Sequence, residues 1–487
     1  MATSSKKPKR SRRVSPARAA AHLAVLRVAA TDAYLDLLFR SIEERLKPRD
    51  RGLARRLAFG AVSQQAALDH LLRSVCNRSL AKLDLPVLVS LRLGLYELLF
   101  LDGSPAHAVV HDQVELAARR LGPNEARARA AAGLVNAVLR QAAREGPRLL
   151  ASLAGDDPQA LALRHGYPLW LVKLWFRLLG EQTARRVLDA GDRPPERWLR
   201  VNTLRAMPRE VLPQLPGAKV DRLLPEAIRP AGKVALAKLP AGRAGQLVAQ
   251  SWGAILAGRL LDPRPGERIL DLCAAPGLKT THLAALMAGE GQIVAVELRP
   301  RRAAALEALC ERLGASQVEV VCGDGREVAP QLGPFDRVLI DVPCTGLGTV
   351  QRHPELKARA TPARVRELAK LQAELVAAAV EAVRPGGVLL YVTCTISPAE
   401  NEGVVAEALR GRAGLEPLDL SAVLPSFSLA RRYAYAYADP TLAAVAGAAL
   451  LVLPGLLPSA GFFYAALRRA GGEEAPFAPL PHLRRSV

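Results

Sequence analysis

The sequence predicts a multidomain chain: an all-α N-terminal domain, a small α+β domain, and a C-terminal α/β domain on a doubly wound parallel sheet. Three observations predict it. Residues 17–146 repeat apolar positions at helical spacing and carry almost no strand signal. Residues 147–245 mix helical and strand-like runs between recurrent Pro and Gly. From Gly245 onward, short apolar runs alternate regularly with helical patterns. A chain of 487 residues exceeds one ordinary core, and a hydrophobic content of 50% is ample for several.

Residues 1–16 are poor in apolar residues and rich in Lys, Arg, Ser and Pro. They read as a disordered basic tail, with no apolar stretch of the kind a secretory signal needs. Ala19 to Leu46, Gly52 to Arg73 and Pro86 to Leu101 are the strongest helical runs of the 17–146 domain. In 147–245, Tyr167 to Ala190 reads as helix, with Trp170 and Trp175 as core residues rather than a ligand platform. Arg200 to Leu204 reads as a strand. The third domain is bounded at 246–470, followed by a C-terminal tail, 471–487. Its expected strands are Arg268 to Leu272, Ile293 to Glu297, Val318 to Val321, Arg337 to Asp341 and Val388 to Thr393. Arg302 to Leu313 and Pro362 to Val383 are expected helices, and Ala449 to Leu453 with Phe462 to Leu467 an antiparallel pair.

The stretch between Asp439 and Arg468 contains no charged residue and is long enough to span a bilayer. Pro454, Gly455, Pro458 and Gly461 interrupt it, so two strands and a turn are the better reading, and no membrane is expected as a partner. The formal net charge of +21 and pI near 10.3 point to a polyanion, most simply nucleic acid. The six cysteines form no C-x-x-C pair and no metal spacing. Scattered single cysteines fit a reducing, cytoplasmic setting.

In open α/β sheets, ligands bind beyond the carboxyl ends of the strands. Asp271, Glu297, Asp324 and Asp341 stand at four successive strand ends. Any one of them is compatible with a helix cap or a solvated turn. Together they suit a ligand with a ribose, an adenine amine and a positive charge, which S-adenosylmethionine has. The loop after the first strand, Cys273 to Lys279, is built of small residues and opens a helix, so its backbone N–H groups can approach a ligand closely. Cys344 and Cys394 follow the fourth and fifth strands, which are neighbours in such a sheet. A thiolate adds well to carbon-6 of a pyrimidine, and the addition makes carbon-5 reactive toward an electrophilic methyl group.

Three phrases, DLCAAPGLKT (Asp271–Thr280), DVPCTGLGTVQRHPELK (Asp341–Lys357) and YVTCTISPAENEGVV (Tyr391–Val405), resemble the signature motifs of the RNA cytosine-5 methyltransferases of the Sun/NOL1 group. LRLGLYELLF (Leu91–Phe100), PAHAVVHDQVELAARR (Pro105–Arg120) and GLVNAVLR (Gly133–Arg140) resemble the NusB RNA-binding fold. The combination is similar to the RsmB/Sun type, whose substrate is small-subunit ribosomal RNA, naked or in an assembling subunit. The resemblance implies that the C-terminal domain is a Rossmann-like class I methyltransferase and that the helical and small domains hold RNA. It implies Cys394 as nucleophile, Cys344 as the group assisting proton removal and enzyme release, and Asp341 as hydrogen-bonding the cytosine while lining the cofactor pocket. It implies that Cys273, Ala274, Ala275, Pro276, Gly277, Leu278 and Lys279 hold the methionine end of S-adenosylmethionine. Glu297 with Arg302 nearby would take the ribose, and Asp324 the adenine. Leu278 stands where relatives usually have glycine, Glu297 where aspartate is common, and Gln250-Ser251-Trp252 replaces a usual Gln-Asp-Glu. In Gln64-Gln65, arginine is usual. Two other functions fit parts of this pattern: a DNA cytosine-5 methyltransferase, whose nucleophile would be Cys344, and an antitermination-type RNA-binding factor with a vestigial catalytic fold.

Overall fold

A computed structural model describes residues 14–412, 414–429 and 438–480. The expected basic tail therefore falls largely outside the described residues. The chain divides into two units, one of residues up to Lys173 together with Arg352–Arg359, the other of Leu174–Gln351 and Ala360 onward.

The first unit is helical. Its helices include Pro16–Ala30, Leu35–Glu43, Pro48–Ser63, Gln65–Val75, Leu85–Phe100, Ala106–Arg119 and Glu125–Ala151. The first expected run is broken at residues 31–34, and the second at Gln64, which closes one helix and precedes the next. Leu57, Leu68, Leu71, Leu91, Leu95 and Leu139 are among its fully buried core residues. One buried charge is tied in: Arg18 donates to both oxygens of Glu97 (2.9 and 2.7 Å) and to Asp112 (2.8 Å). A charge this buried is tolerated only with such partners.

Arg352–Arg359 belongs to this helical unit, although the sequence reads it as the tail of the DVPCTGLGTVQRHPELK motif. The cause is local. Lys357 is almost fully buried, donates to the Ser63 hydroxyl (3.0 Å) and the His165 carbonyl (2.7 Å), and lies 4.4 Å from the Tyr167 ring centre. Glu355 accepts from the Leu35 N–H at 3.3 Å, and Arg359 donates to the carbonyls of Val28, Thr31 and Ala33 at the end of the first helix.

The second unit holds two sheets. The smaller has strands β1 (Leu199–Val201), β2 (Lys219–Val220), β3 (Ala227–Arg229) and β4 (Leu247–Ala249), all antiparallel, in the order β2-β3-β1-β4. The helical run before it divides at Gly180 into Leu169–Leu179 and Glu181–Gly191. Trp175 is fully buried, and its ring N–H donates to the Ile396 carbonyl at 3.0 Å.

The larger sheet comprises β5 (Arg268–Leu272), β6 (Gln292–Glu297), β7 (Val318–Cys322), β8 (Phe335–Asp341), β9 (Val383–Thr393), β10 (Leu415–Leu418), β11 (Leu450–Val452) and β12 (Phe462–Arg469). Strands β7-β6-β5-β8-β9 run parallel in that order. Strand β12 runs antiparallel to β9, β10 and β11. The near-continuous burial of β5, β6, β8 and β9 follows from helices on both faces. Helix ends obey local chemistry: Thr361 accepts from the Arg364 N–H to start Pro362–Ala382, and Gly314, with φ +77°, ends Pro300–Leu313.

The uncharged stretch after Asp439 forms the helix Pro440–Ala448 and then β11 and β12, so it contains a helix besides the two expected strands. Among the described residues, no helix is long and apolar enough to cross a membrane. Residues 471–480, expected as a loose tail, are tied down. The fully buried Arg337 on β8 donates to the Pro476 carbonyl at 2.6 Å, the Ala478 N–H donates to Asp262, and Leu480 is buried.

Candidate active site

The strand order reverses between β6-β5 and β5-β8, which opens a crevice beyond the carboxyl ends of β5 and β8. The loop Cys273–Gly277 leaves β5 there. The Ala274 N–H donates to the Val296 carbonyl on β6 (2.9 Å), and the Gly277 N–H closes back on the Ala274 carbonyl (2.9 Å). Gly277 has φ +94°, and a Cβ on it would lie 2.3 Å from Leu306, so this position requires glycine. The helix Leu278–Leu286 then begins. Leu278 is its first residue, so the side chain that departs from the family pattern belongs to a helical turn.

Lys279, next along that helix, forms an ion pair with Asp341 at the end of β8. Burial opposes its ammonium, but the charge of Asp341 and the hydrogen bond to it outweigh burial, helped by Cys394 and Asp271, so the lysine pKa is raised. Cys394 therefore lies within electrostatic reach of this cation. The Phe462 ring is 5.9 Å from the ammonium.

Cys344 and Cys394 meet: their sulfurs are 3.4 Å apart. Parallel pairing of β8 with β9 sets Asp341 opposite Val392, which brings the two loops to one place. The Gly348 N–H donates to the Cys394 carbonyl at 2.9 Å, and a Cβ on Gly348 would lie 2.2 Å from the Gly461 carbonyl oxygen. The hydrogen bond to Cys394, burial, and the charges of Cys394 and Glu400 push the Cys344 thiol well above the ordinary thiol range. The two sulfurs share one hydrogen bond, with either able to donate.

The remaining acids differ in fate. Glu297 ends β6, is nearly buried, and has one oxygen engaged by the Arg299 N–H (3.0 Å) and by Arg302 (3.5 Å). Arg302 also donates to the Ala275 carbonyl at 2.7 Å, joining the ribose-side acid to the loop. Asp324 caps the helix Gly325–Leu332, accepting from the Arg326 N–H (3.0 Å), and its carboxylate is paired with the Arg326 guanidinium (2.6 Å). It stands at the expected strand end, but an adenine amine would have to share it with Arg326. Asp271 lies one residue before the end of β5, fully buried; one oxygen takes the Thr280 hydroxyl (2.6 Å), and the other has no partner among the described residues.

The donor set fits S-adenosylmethionine. Cys273, in the loop, is pushed up to about 12 by burial and then by Asp341, Asp271 and Glu297, so the loop sits in an acidic setting that suits a cationic ligand. Glu297 offers acceptor capacity for a diol, and the loop offers backbone N–H groups at a helix start. Among the described residues, no cluster could hold a metal ion.

Asp271 supplies a pH prediction. Burial raises its carboxyl from 3.8 to about 7, against the Thr280 hydrogen bond and the Lys279 charge. The folded chain holds this proton more tightly than the unfolded one, so the contribution favours folding below the ordinary pKa and disappears as pH rises through the raised one. Thermal midpoints of the native protein and Asp271→Asn, measured between about pH 4 and about pH 7.5, are expected to diverge, with the native protein losing ground as pH rises. Parallel curves would refute the buried acid.

Sequence reasoning overlooked Glu400, Asn401, Thr345 and Gln372, which line the back of the cysteine pair. Glu400 accepts from the Thr345 N–H (2.7 Å), the Thr345 hydroxyl (2.6 Å) and the Gln372 amide (3.3 Å). The available signal was the polar run SPAENE inside an otherwise buried motif.

Residues 258–468 match the family described as 16S rRNA methyltransferase RsmB/F, residues 15–144 the NusB family, and residues 167–236 the ferredoxin-like domain of RsmF/B-like methyltransferases. A probable ribosomal RNA small subunit methyltransferase B of Bacillus subtilis (strain 168) is 30% identical over 458 residues, covering 92% of this chain and 97% of that protein. Ribosomal RNA small subunit methyltransferase B of Sodalis glossinidius (strain morsitans) is 36% identical over 394 residues, 79% of this chain and 87% of that protein. A methyltransferase homolog protein from Pyrococcus horikoshii, known from a crystal structure, superposes with a TM-score of 0.55 at 28% identity, covering 65% of this chain and 100% of that one.

Proposed function

The chain belongs to the RsmB/Sun-type rRNA methyltransferases with a NusB-like N-terminal domain, and from that premise we propose that it methylates carbon-5 of a cytosine in small-subunit rRNA through a covalent cysteine adduct. The observation that carries this reading is the 3.4 Å approach of Cys344 to Cys394 beside the Asp341–Lys279 ion pair. One sulfur adds and the other serves proton transfer, and these are the two tasks that carbon-5 substitution requires.

The loop Cys273–Lys279 and Glu297 with Arg302 would hold S-adenosylmethionine, which when bound would supply the electrophilic methyl group for carbon-5 and leave as the neutral thioether. Cys394, the cysteine of the Thr-Cys motif, is the nucleophile in this reading, as the family resemblance implies. Cys394 adds to carbon-6 of a base presented out of its stack. Asp341 accepts a hydrogen bond from the cytosine and stabilises the adduct. Cys344, its own proton given up to solvent, takes the carbon-5 proton as general base. The electron pair of the C–H bond forms the C5–C6 double bond and expels Cys394 as thiolate. The second cysteine, Cys394, and the NusB-like N-terminal domain disfavour the DNA-type assignment, in which Cys344 attacks.

The helical and small domains are the parts we assign to rRNA, and the net charge of +21 supports a polyanionic partner in the cytoplasm, naked or in an assembling subunit. The test is methyl transfer from labelled S-adenosylmethionine to small-subunit rRNA, with nucleoside analysis of the product. Label in 5-methylcytidine is expected. Label in another nucleoside would overturn the carbon-5 assignment, label in DNA alone would favour the DNA enzyme, and no label in any nucleic acid would favour a binding protein.

A further inference from the structure

We propose that the dipeptide Glu400-Asn401 is the positioning clamp that sets the two cysteines against each other, Glu400 holding the Cys344 loop and Asn401 the Cys394 loop. The inference rests on the two-cysteine reading above and adds the residues through which its geometry is imposed.

Glu400 is fully buried, and every side chain that meets its carboxylate donates to it. The Thr345 N–H and hydroxyl each take one oxygen, at 2.7 and 2.6 Å, and Gln372 adds a donor at 3.3 Å. Ser397 contributes another hydrogen bond. A carboxylate accepting this many hydrogen bonds fixes the backbone of the residue directly after Cys344. The Thr345 hydroxyl, having donated to Glu400, accepts from Thr395 at 2.7 Å, so the grip passes to the residue directly after Cys394.

Asn401, also fully buried, takes the other loop from both sides. Its side-chain oxygen accepts from the Thr393 hydroxyl at 2.6 Å, and its amide donates to the Thr395 carbonyl at 3.3 Å. These are the two residues flanking Cys394. The clamp is itself anchored: the Tyr391 hydroxyl on β9 donates to the Glu400 carbonyl at 2.6 Å, and Gln372 also donates to the Pro343 carbonyl at 2.9 Å, the residue before Cys344. Two adjacent buried polar side chains devoted to two loops 50 residues apart call for a positional role.

The two halves of the clamp act on different steps, and that distinguishes positioning from general stability. Glu400→Ala frees the Cys344 loop while leaving Cys394 held. Turnover is expected to fall about 10²-fold, the scale of a misplaced catalytic group. The covalent RNA adduct should accumulate on a denaturing gel, as is expected when Cys344 is absent. Glu400→Gln, which still accepts from the Thr345 N–H, should restore release in part. Asn401→Ala frees Cys394 instead, so adduct formation, measured in the Cys344→Ala background, should slow by a similar about 10²-fold.

Wild-type turnover in Glu400→Ala and Asn401→Ala would overturn the proposal. So would equal loss of adduct formation and S-adenosylmethionine binding in both, with no recovery in Glu400→Gln. If Glu400→Ala does not fold, Thr345→Val takes its place, and absence of adduct accumulation there overturns the Glu400 half. The control is Cys344→Ala alone. If it traps no adduct, the two-cysteine reading fails whatever the clamp does. If it traps adduct and Glu400→Ala does not, only the clamp fails.

Discussion

Cys394→Ala should bring methyl transfer to background, a loss of roughly 10⁴-fold or more, because the sulfur that adds to carbon-6 is gone. Cys394 follows the last residue of β9, and the Gly348 N–H donates to its carbonyl, so removing the sulfur leaves the fold intact. Cys344→Ala should behave differently. Its sulfur lies 3.4 Å from that of Cys394, and its loss leaves addition possible but removes the acceptor for the carbon-5 proton. Turnover should fall by about 10²–10⁴-fold, the usual worth of a general base, while the adduct stays on the protein. The measurement is a denaturing gel of each variant incubated with S-adenosylmethionine and small-subunit rRNA. A slow-migrating band in Cys344→Ala and none in Cys394→Ala is expected. The reversed pattern would transfer the nucleophile to Cys344 and revive the DNA-type mechanism.

Asp341→Asn carries the second large effect. Its carboxylate is the partner of Lys279 and sits beside Cys273, where it contributes to the negative field of the crevice. Without that charge, adduct stabilisation should weaken and turnover drop by about 10²–10³-fold, as for the loss of one oriented group at a reacting centre. Lys279 would lose the main influence raising its pKa, so its ammonium would become more acidic. Affinity for S-adenosylmethionine, read by calorimetry, should weaken as well, because a carboxylate near a sulfonium is lost. Unchanged affinity together with unchanged turnover would remove Asp341 from the site.

The sequence was most informative where the chemistry is local. Five strand ends were legible because apolar runs stop where Gly, Pro or an acid begins, and Glu297 and Asp341 do close β6 and β8. The small-residue loop before Lys279 was legible for the same reason: a tight βα turn admits few residue types, and Gly277 at φ +94° is one of them. Fates of side chains were less legible. Asp324 and Asp271 look alike in sequence, yet one is a helix cap paired with Arg326 and the other is sealed beneath Thr280. Their difference depends on what packs above each strand, which no periodicity records.

The positions of the parallel strands along the chain and the residues near their ends were legible in the sequence alone, since hydrophobic period and turn chemistry act over a few residues. Only the tertiary structure decided which of those ends meet. It placed Cys344 3.4 Å from Cys394, assigned Arg352–Arg359 to the helical unit, and set Glu400-Asn401 behind both cysteines. Each of these depends on register between elements tens to hundreds of residues apart. Such contacts are selected by burial and by the need to pair every buried polar group, and these are properties of the packed chain rather than of any single stretch of it.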